Sequence, residues 1–406
     1  MLIRYLCRAV YPLSLIPHPL SLNVRLAYVH SRAFPSVDAN VVQVVQMCRA
    51  FRTLGHTVTL FIPRHADCTT DEAALNRARE LFGDPLGFDV VFVPRKKILG
   101  RMEVLGSVSS TLDALKKHPQ DLIYSRNPWS VAFLTRTGVP FIWEAHEEHV
   151  HKRSKLLGAL LQWLIVRTSK KPQMVKVVAI SDALSKVWEG FGVPPEKLLT
   201  AHDGVDLKLF GTVLDKSETR KVLGITNDKK VIVYTGALKS DRGIEMILES
   251  ARRMPEADFY IVGGNQSEID FWKSEIARLN LPNAHLTGRI PHQVVPRWLA
   301  AADVLLMMWT WRVPTIRVCS PMKLFEYMAA QRLIVGPAFP TVLEVLEDRK
   351  DAILFEPDNL NEMEKALREG LSRSHETELP TRAYEKVSRD YTWEARCQLI
   401  LNSLQL

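Results

Sequence analysis

The residues with the most evident chemistry are Ser320, Pro321, Met322, Lys323, Leu324 and Glu326, in the stretch SPMKLFEYMA. Ser320 is a residue type whose oxygen accepts from first-turn amides, and Pro321 has its φ preset and no N–H to leave unbonded, so a helix is predicted to start there. Free amides and the macrodipole at a helix start attract anions, and Lys323 adds a positive charge, which makes phosphate a fitting guest. Glu326 follows three residues later and shares that face. A carboxylate beside a phosphate is repelled unless it accepts from neutral donors such as ribose or sugar hydroxyls. The pair therefore points to a nucleotide, although the stretch alone also fits a capped amphipathic helix with a surface Lys–Glu pair.

Further cations and glycines lie at expected strand ends. Arg242-Gly243 opens a helix where a guanidinium would meet a bound phosphate. Gly236, Gly263-Gly264 and Gly288-Arg289 end three strands, and glycine lets a ligand approach the backbone. Trp309-Thr310-Trp311 could stack a base or sugar, or pack against the domain edge. In the N-terminal half, Ser31, Arg32, Ser36 and Asn40 are the polar residues of a loop after the first strand, and Arg126 ends another strand. His146 stands among Glu144, Glu147 and Glu148 and could be an acid, a base or a partner for a hydroxyl. The same cluster could be a solvated acidic loop; no metal site is expected, because H-E-x-x-H is absent. The loop over 31–40 lacks G-x-G-x-x-G, so a dinucleotide site is not indicated.

Positioning these groups requires alternating strands and helices. Residues 24–30 read as a buried strand, 37–54 as a helix closed by Gly55, and 57–62 as a second strand, which together make a βαβ unit. Strands follow near 88–93, 121–125, 139–143, 175–180 and 197–200. The segment AHDGVD and the charged run 216–221 mark a linker. The alternation then restarts, with strands at 231–235, 259–262, 303–308 and 332–336. Two such series describe an α/β protein of two Rossmann-like domains facing across a cleft, with ligands at the carboxyl ends of the strands. The expected divisions are an N-terminal extension (1–22), domains over 23–205 and 206–380, and a C-terminal helix (381–406).

A chain of 406 residues, 47% hydrophobic and 24% charged, can bury a core in each half. A net charge of +8 and a pI near 9.2 favour a polyanionic neighbour: nucleic acid, anionic lipid or a phosphorylated substrate. Scattered aromatics offer no strand-borne stacking platform, which argues against nucleic acid. Five scattered cysteines without a C-x-x-C spacing indicate neither a disulfide frame nor zinc, and fit a reducing cytoplasm. No uncharged apolar run is long enough to span a bilayer. Prolines 12, 17 and 19 break the signal-like start, which reads as a loosely held extension. Between Lys152-Arg153 and Lys170-Lys171, the apolar run 156–166 is either an amphipathic helix suited to an anionic membrane surface or a core helix with solvated ends.

With these residues assembled, the chain resembles glycosyltransferase family 4, the retaining GT-B enzymes that use nucleotide-sugar donors. The resemblance runs over residues 23–406: LGHTVTLF, HDGVD (commonly NGVD), GALKSDRGIEMIL, YIVGG, TGRIPH, SPMKLFEYMA and the terminal YTWEAR. Of these, SPMKLFEYMA is the specific motif. The resemblance implies that Arg242 and Lys323 hold the donor diphosphate, that Glu326 binds the ribose hydroxyls, and that His146 lies near the transferred sugar. It also implies that the last helix crosses back to the first domain. Two positions depart from the family pattern. Ala237 stands where an arginine is frequent, and Val318 where the first glutamate of Glu-x7-Glu falls; members with the SPxK variant commonly lack that glutamate.

The implied reaction moves a hexose from a UDP- or GDP-sugar to an acceptor hydroxyl without a bound metal or other cofactor. The acceptor would be a glycan or lipid-linked glycan of the cell envelope, reached from the cytoplasm, with the enzyme peripheral at the membrane's inner face. A GT-B nucleotide-sugar epimerase, which needs no acceptor, and a non-catalytic nucleotide-sugar binder are the alternatives.

Overall fold

The computed structural model describes residues 23–95, 103–148 and 155–404. The expected extension over 1–22, together with Lys152 and Arg153, lies outside the described residues.

Near-continuous Val, Ile and Leu runs build two parallel sheets whose central strands are buried on both faces. The first contains β1 (Arg25–Val29), β2 (Thr57–Ile62), β3 (Asp89–Phe92), β4 (Leu122–Ser125), β5 (Phe141–Ala145), β6 (Met174–Ala179) and β7 (Leu198–Thr200), ordered β3-β2-β1-β4-β5-β6-β7. The second contains β8 (Lys230–Thr235), β9 (Ala257–Val262), β10 (Ala284–Gly288), β11 (Val304–Leu306), β12 (Leu333–Pro337) and β13 (Ile353–Phe355), ordered β10-β9-β8-β11-β12-β13. The expected strands are present within a few residues. β11 is shorter than expected: the Met307 amide still donates to Val335 O at 2.8 Å, and Met308 to Thr310 then leave the ladder while staying buried.

In each sheet the chain winds outward in one direction and then in the other. The order reverses between β1 and β4, and again between β8 and β11, both parallel neighbours. Such a reversal opens a crevice beyond the strand ends. Along β8, alternate residues feed opposite cores: Val231 and Val233 pack into one, Ile232 and Tyr234 into the other. The Tyr327 hydroxyl lies 2.8 Å from the Thr235 amide nitrogen and 3.1 Å from its Oγ1, tying the Met322–Ala329 helix to the end of β8.

The described chain packs as two compact units. One holds residues up to Ile142 with Pro172–Lys176 and the chain from Cys397 onward; the other holds Val177–Arg396 and the described part of Trp143–Lys171. Among the described residues, no helix is long and apolar enough to cross a membrane.

Candidate active site

The β8/β11 crevice gathers most of the charged residues singled out in the C-terminal half. Its rim is glycine. Gly236 follows β8 at φ +147, and a Cβ there would fall 2.8 Å from Lys323 Nζ and 3.0 Å from the Tyr234 hydroxyl. Gly263 follows β9 at φ +123, where a Cβ would fall 2.1 Å from the Gly236 carbonyl oxygen. The Gly236 amide donates to Val262 O at 2.9 Å, and the Gly263 amide to Gly288 O at 3.0 Å. Three strand ends are thereby stitched into one bare edge, with Gly264 beside it and Arg289 exposed past β10.

Behind that rim, Lys323 places Nζ 4.4 Å from the Tyr234 ring centroid and 5.5 Å from that of Trp309. Arg242 sets its guanidinium 5.7 Å from the same indole, while its Nε lies 3.3 Å from Asp241 Oδ1. Aromatic faces attract cations, so one indole can draw both side chains to the same place. Burial between these rings, and then the positive charge of Arg242, press the Lys323 pKa down to about 7, against the opposing pull of Glu326. An anion placed here would relieve the repulsion and restore the full charge.

The helix start differs from the expectation. Ser320 does not cap it: the Ser320 hydroxyl accepts from the Asp203 amide at 2.8 Å, and the helix begins at Met322 with Pro321 as cap residue and no side-chain cap bond. The serine is used to fasten the HDGVD segment instead. Pro321 and Leu324 are buried, and the Leu324 amide donates to Pro321 O at 2.9 Å. Met322 is half-buried.

Glu326, one turn beyond, accepts from His292 Nε2 at 3.1 Å. Burial alone would lower the histidine's pKa, but the bond to Glu326 and the charges of Glu326 and Asp206 outweigh it, and the net shift is upward. Tyr234 and His292 were not assigned to the site from sequence, and Trp309 was left open there between stacking a ligand and packing. Their signals were only the Trp-Thr-Trp run, an apolar strand and the TGRIPH segment.

Glu144 is 1% exposed, with its carboxylate shared between His146 Nε2 and the equally buried Arg396, whose Nη1 donates at 3.1 Å. This carboxylate, held by an imidazole and a guanidinium, orients the histidine from a buried position. Arg396 also donates through Nε to His202 O at 2.8 Å, so the terminal YTWEAR segment fixes both the linker and Glu144. In that linker His202 lies 3.0 Å from Glu344, whose carboxylate accepts from the Asp182 and Ala183 amides at the start of the Asp182–Gly190 helix. Burial holds the His202 pKa down to about 4. Val318 is buried, and its carbonyl accepts from Ser181 Oγ at 2.8 Å.

At the β1/β4 reversal, Arg126 Nη1 donates to Asn40 O at 2.8 Å, joining the end of β4 to the first turn of the Ala39–Thr53 helix. Ser36 Oγ accepts from the Asp38 amide at 3.1 Å, and Ser31 and Arg32 are exposed. Among the described residues, no three His, Cys, Asp or Glu side chains are grouped to hold a metal.

Comparison with known proteins places this geometry in context. The family model described as Glycosyltransferase Family 4 matches residues 41–209, and that of Glycosyl transferases group 1 matches residues 229–373. The chain is 29% identical over 146 residues to TuaH of Bacillus subtilis (strain 168), whose name assigns it to teichuronic acid biosynthesis as a glycosyltransferase; the match covers 36% of each chain. It thus spans about a third of that relative's length. It is 21% identical to a GDP-mannose-dependent alpha-mannosyltransferase of Corynebacterium glutamicum, over 93% of this chain and 88% of that one. The crystal structure of Anabaena HepE in complex with UDP and glucose superposes with a TM-score of 0.72 at 16% identity, covering 95% of this chain and 100% of that one. That likeness shows a shared fold, of the GT-B type.

Proposed function

Because the chain belongs to the family 4-like GT-B glycosyltransferases, we propose that it moves a hexose from a UDP- or GDP-sugar to an acceptor hydroxyl with retention of configuration. The observation that carries this reading is the pair of cations, Lys323 and Arg242, over one indole at the start of a helix that carries Glu326 a turn later. Breaking the anomeric C–O bond moves negative charge onto the leaving diphosphate. Cations fixed there stabilise the transition state more than the ground state. Glu326 takes the ribose hydroxyls, the bare Gly236–Gly263 edge admits the nucleotide to the backbone, and His146, steadied by Glu144, lies near the transferred sugar. Charge neutralisation comes from side chains, and the reaction is metal-independent.

In this reading residues 23–205 bind the acceptor, 206–380 bind the donor, and the helix within 381–406 crosses back to the acceptor domain. The acceptor is a glycan or lipid-linked glycan of the cell envelope, met from the cytoplasm at the inner face of an anionic membrane. The names of TuaH and of the mannosyltransferase, and the UDP in the HepE structure, support the donor class and the setting. Thermal-shift measurements with UDP, GDP and ADP, followed by donor-hydrolysis assays with their sugars, test it. Lys323→Ala and Arg242→Ala should mainly slow transfer, and Glu326→Ala should weaken nucleotide binding. Unchanged turnover in all three variants removes this site from consideration.

A further inference from the structure

The Lys155–Ser169 helix turns an unusual face to water. Leu161, Ile165, Thr168 and Ser169 are buried on one side, and on the other Leu156 is 86% exposed, Leu160 51% and Trp163 53%. Spacings of four and three residues put those three side chains in one stripe. Arg167 lies on the same stripe, with its guanidinium 5.2 Å from the Trp163 ring centroid, and exposed Lys155 and Lys170 flank it. The sequence has no Asp or Glu between Glu148 and Asp182. An ordinary surface helix shows the reverse pattern, with its apolar residues inward and its charges mixed in sign.

We propose that this face docks on an anionic lipid bilayer, with the helix lying in the interfacial plane. Leu156 and Leu160 would enter the acyl boundary, and Trp163 would sit at headgroup depth where an amphipathic ring is favoured. Lys155, Arg167 and Lys170 would meet lipid phosphates. Charge decides against a second copy as the occupant, since self-association would press one basic face against another. A bilayer carrying phosphatidylglycerol offers both an apolar layer and the opposite charge. The inference rests on the proposed lipid-linked acceptor for its purpose but not for its test, and it gives that reading a physical element: an enzyme held flat on the surface where such an acceptor is embedded.

Flotation of the full chain with phosphatidylcholine vesicles, with and without phosphatidylglycerol, tests the proposal. The protein should float with the anionic vesicles only, and less as salt rises. Leu160→Ser/Trp163→Ser and Lys155→Gln/Lys170→Gln should each cut the bound fraction on the order of tenfold, with the thermal shift induced by UDP unchanged. Failure of the wild-type chain to float with anionic vesicles overturns the proposal, as does equal flotation with neutral ones or wild-type flotation of both variants. A concentration-dependent dimer abolished by the same variants also overturns it, by giving the face to a second copy. Flotation as expected without any nucleotide-induced shift leaves the docking intact and removes the transferase reading instead.

Discussion

The ammonium of Lys323 and the guanidinium of Arg242 lie 5.5 and 5.7 Å from the centroid of one ring, that of Trp309. Two cations drawn to one indole repel each other, and a bound dianion such as a diphosphate would relieve that repulsion.

This arrangement sets a pH dependence. With a pKa of about 7, Lys323 is charged below that pH and increasingly neutral above it, whereas a bound diphosphate favours the charged form. Affinity for UDP or GDP should fall by about tenfold per pH unit above pH 7, until the pKa of the complex is reached. Calorimetric titration of the cognate nucleotide at several pH values measures the slope, and Lys323→Gln should flatten it. A slope unaltered by that substitution would assign the titration to another group. Stability moves oppositely. Between about 7 and the ordinary lysine value of 10.5 the unfolded chain binds the extra proton, so the Lys323 contribution to stability rises with pH across that window.

Glu326 acts on the protonation of His292. The folded pKa of the histidine is raised, so their pairing stabilises the fold fully below the unfolded value of 6.5 and is lost as pH rises through the folded one. Glu326→Gln should lower the His292 pKa, because burial is then opposed only by the charge of Asp206. Histidine-resolved NMR titration reads this directly. His292→Ala should weaken nucleotide binding by about 1 kcal/mol, the net worth of one hydrogen bond that orients the carboxylate. An unmoved His292 titration in Glu326→Gln would show that the pair is not coupled.

Most of the strands were legible because their centres are apolar runs flanked by glycine or polar residues, and a doubly covered parallel sheet demands that composition. The places of Lys323, Arg242 and Glu326 in the fold were legible because helix starts and strand ends carry recognisable residue types. Ser320 was misassigned because local preference for a cap says nothing about a distant amide, and here Asp203 takes the hydroxyl. Glu144 shows the same limit. Its partner Arg396 is remote in the chain, and only the folded packing reveals that the carboxylate is enclosed. Trp309 followed a buried apolar strand, where an aromatic reads as core; its second role exists only because two cations from separate segments arrive at its face.

The glycine rim offers a graded test. Gly263→Ala sets a Cβ 2.1 Å from the Gly236 carbonyl oxygen at a positive φ, so backbone must shift, and the loss of stability should be about 3 kcal/mol or more. Gly288→Ala, at φ +75 with nothing within 4 Å, bears only the conformational cost, about 1–2 kcal/mol. Chemical denaturation of the two variants compares them. Equal losses would mean that the close approach of the two strand ends is not maintained in solution.

Glu144 and Arg396 form an ion pair in which both side chains are at most 1% exposed. Removing one charge leaves the other buried and uncompensated, a loss of about 3–5 kcal/mol for Glu144→Ala. The double replacement Glu144→Leu/Arg396→Met removes both charges and should recover a large part of that stability, since paired buried ions are worth little more than well-packed apolar groups. Activity should separate from stability. In both variants His146 loses the carboxylate that orients it, so the doubly substituted enzyme should fold well and still transfer sugar poorly. Denaturation midpoints and transfer rates measured on the same preparations check both halves, and full transfer by the double variant would show that the orientation of His146 does not matter to the reaction.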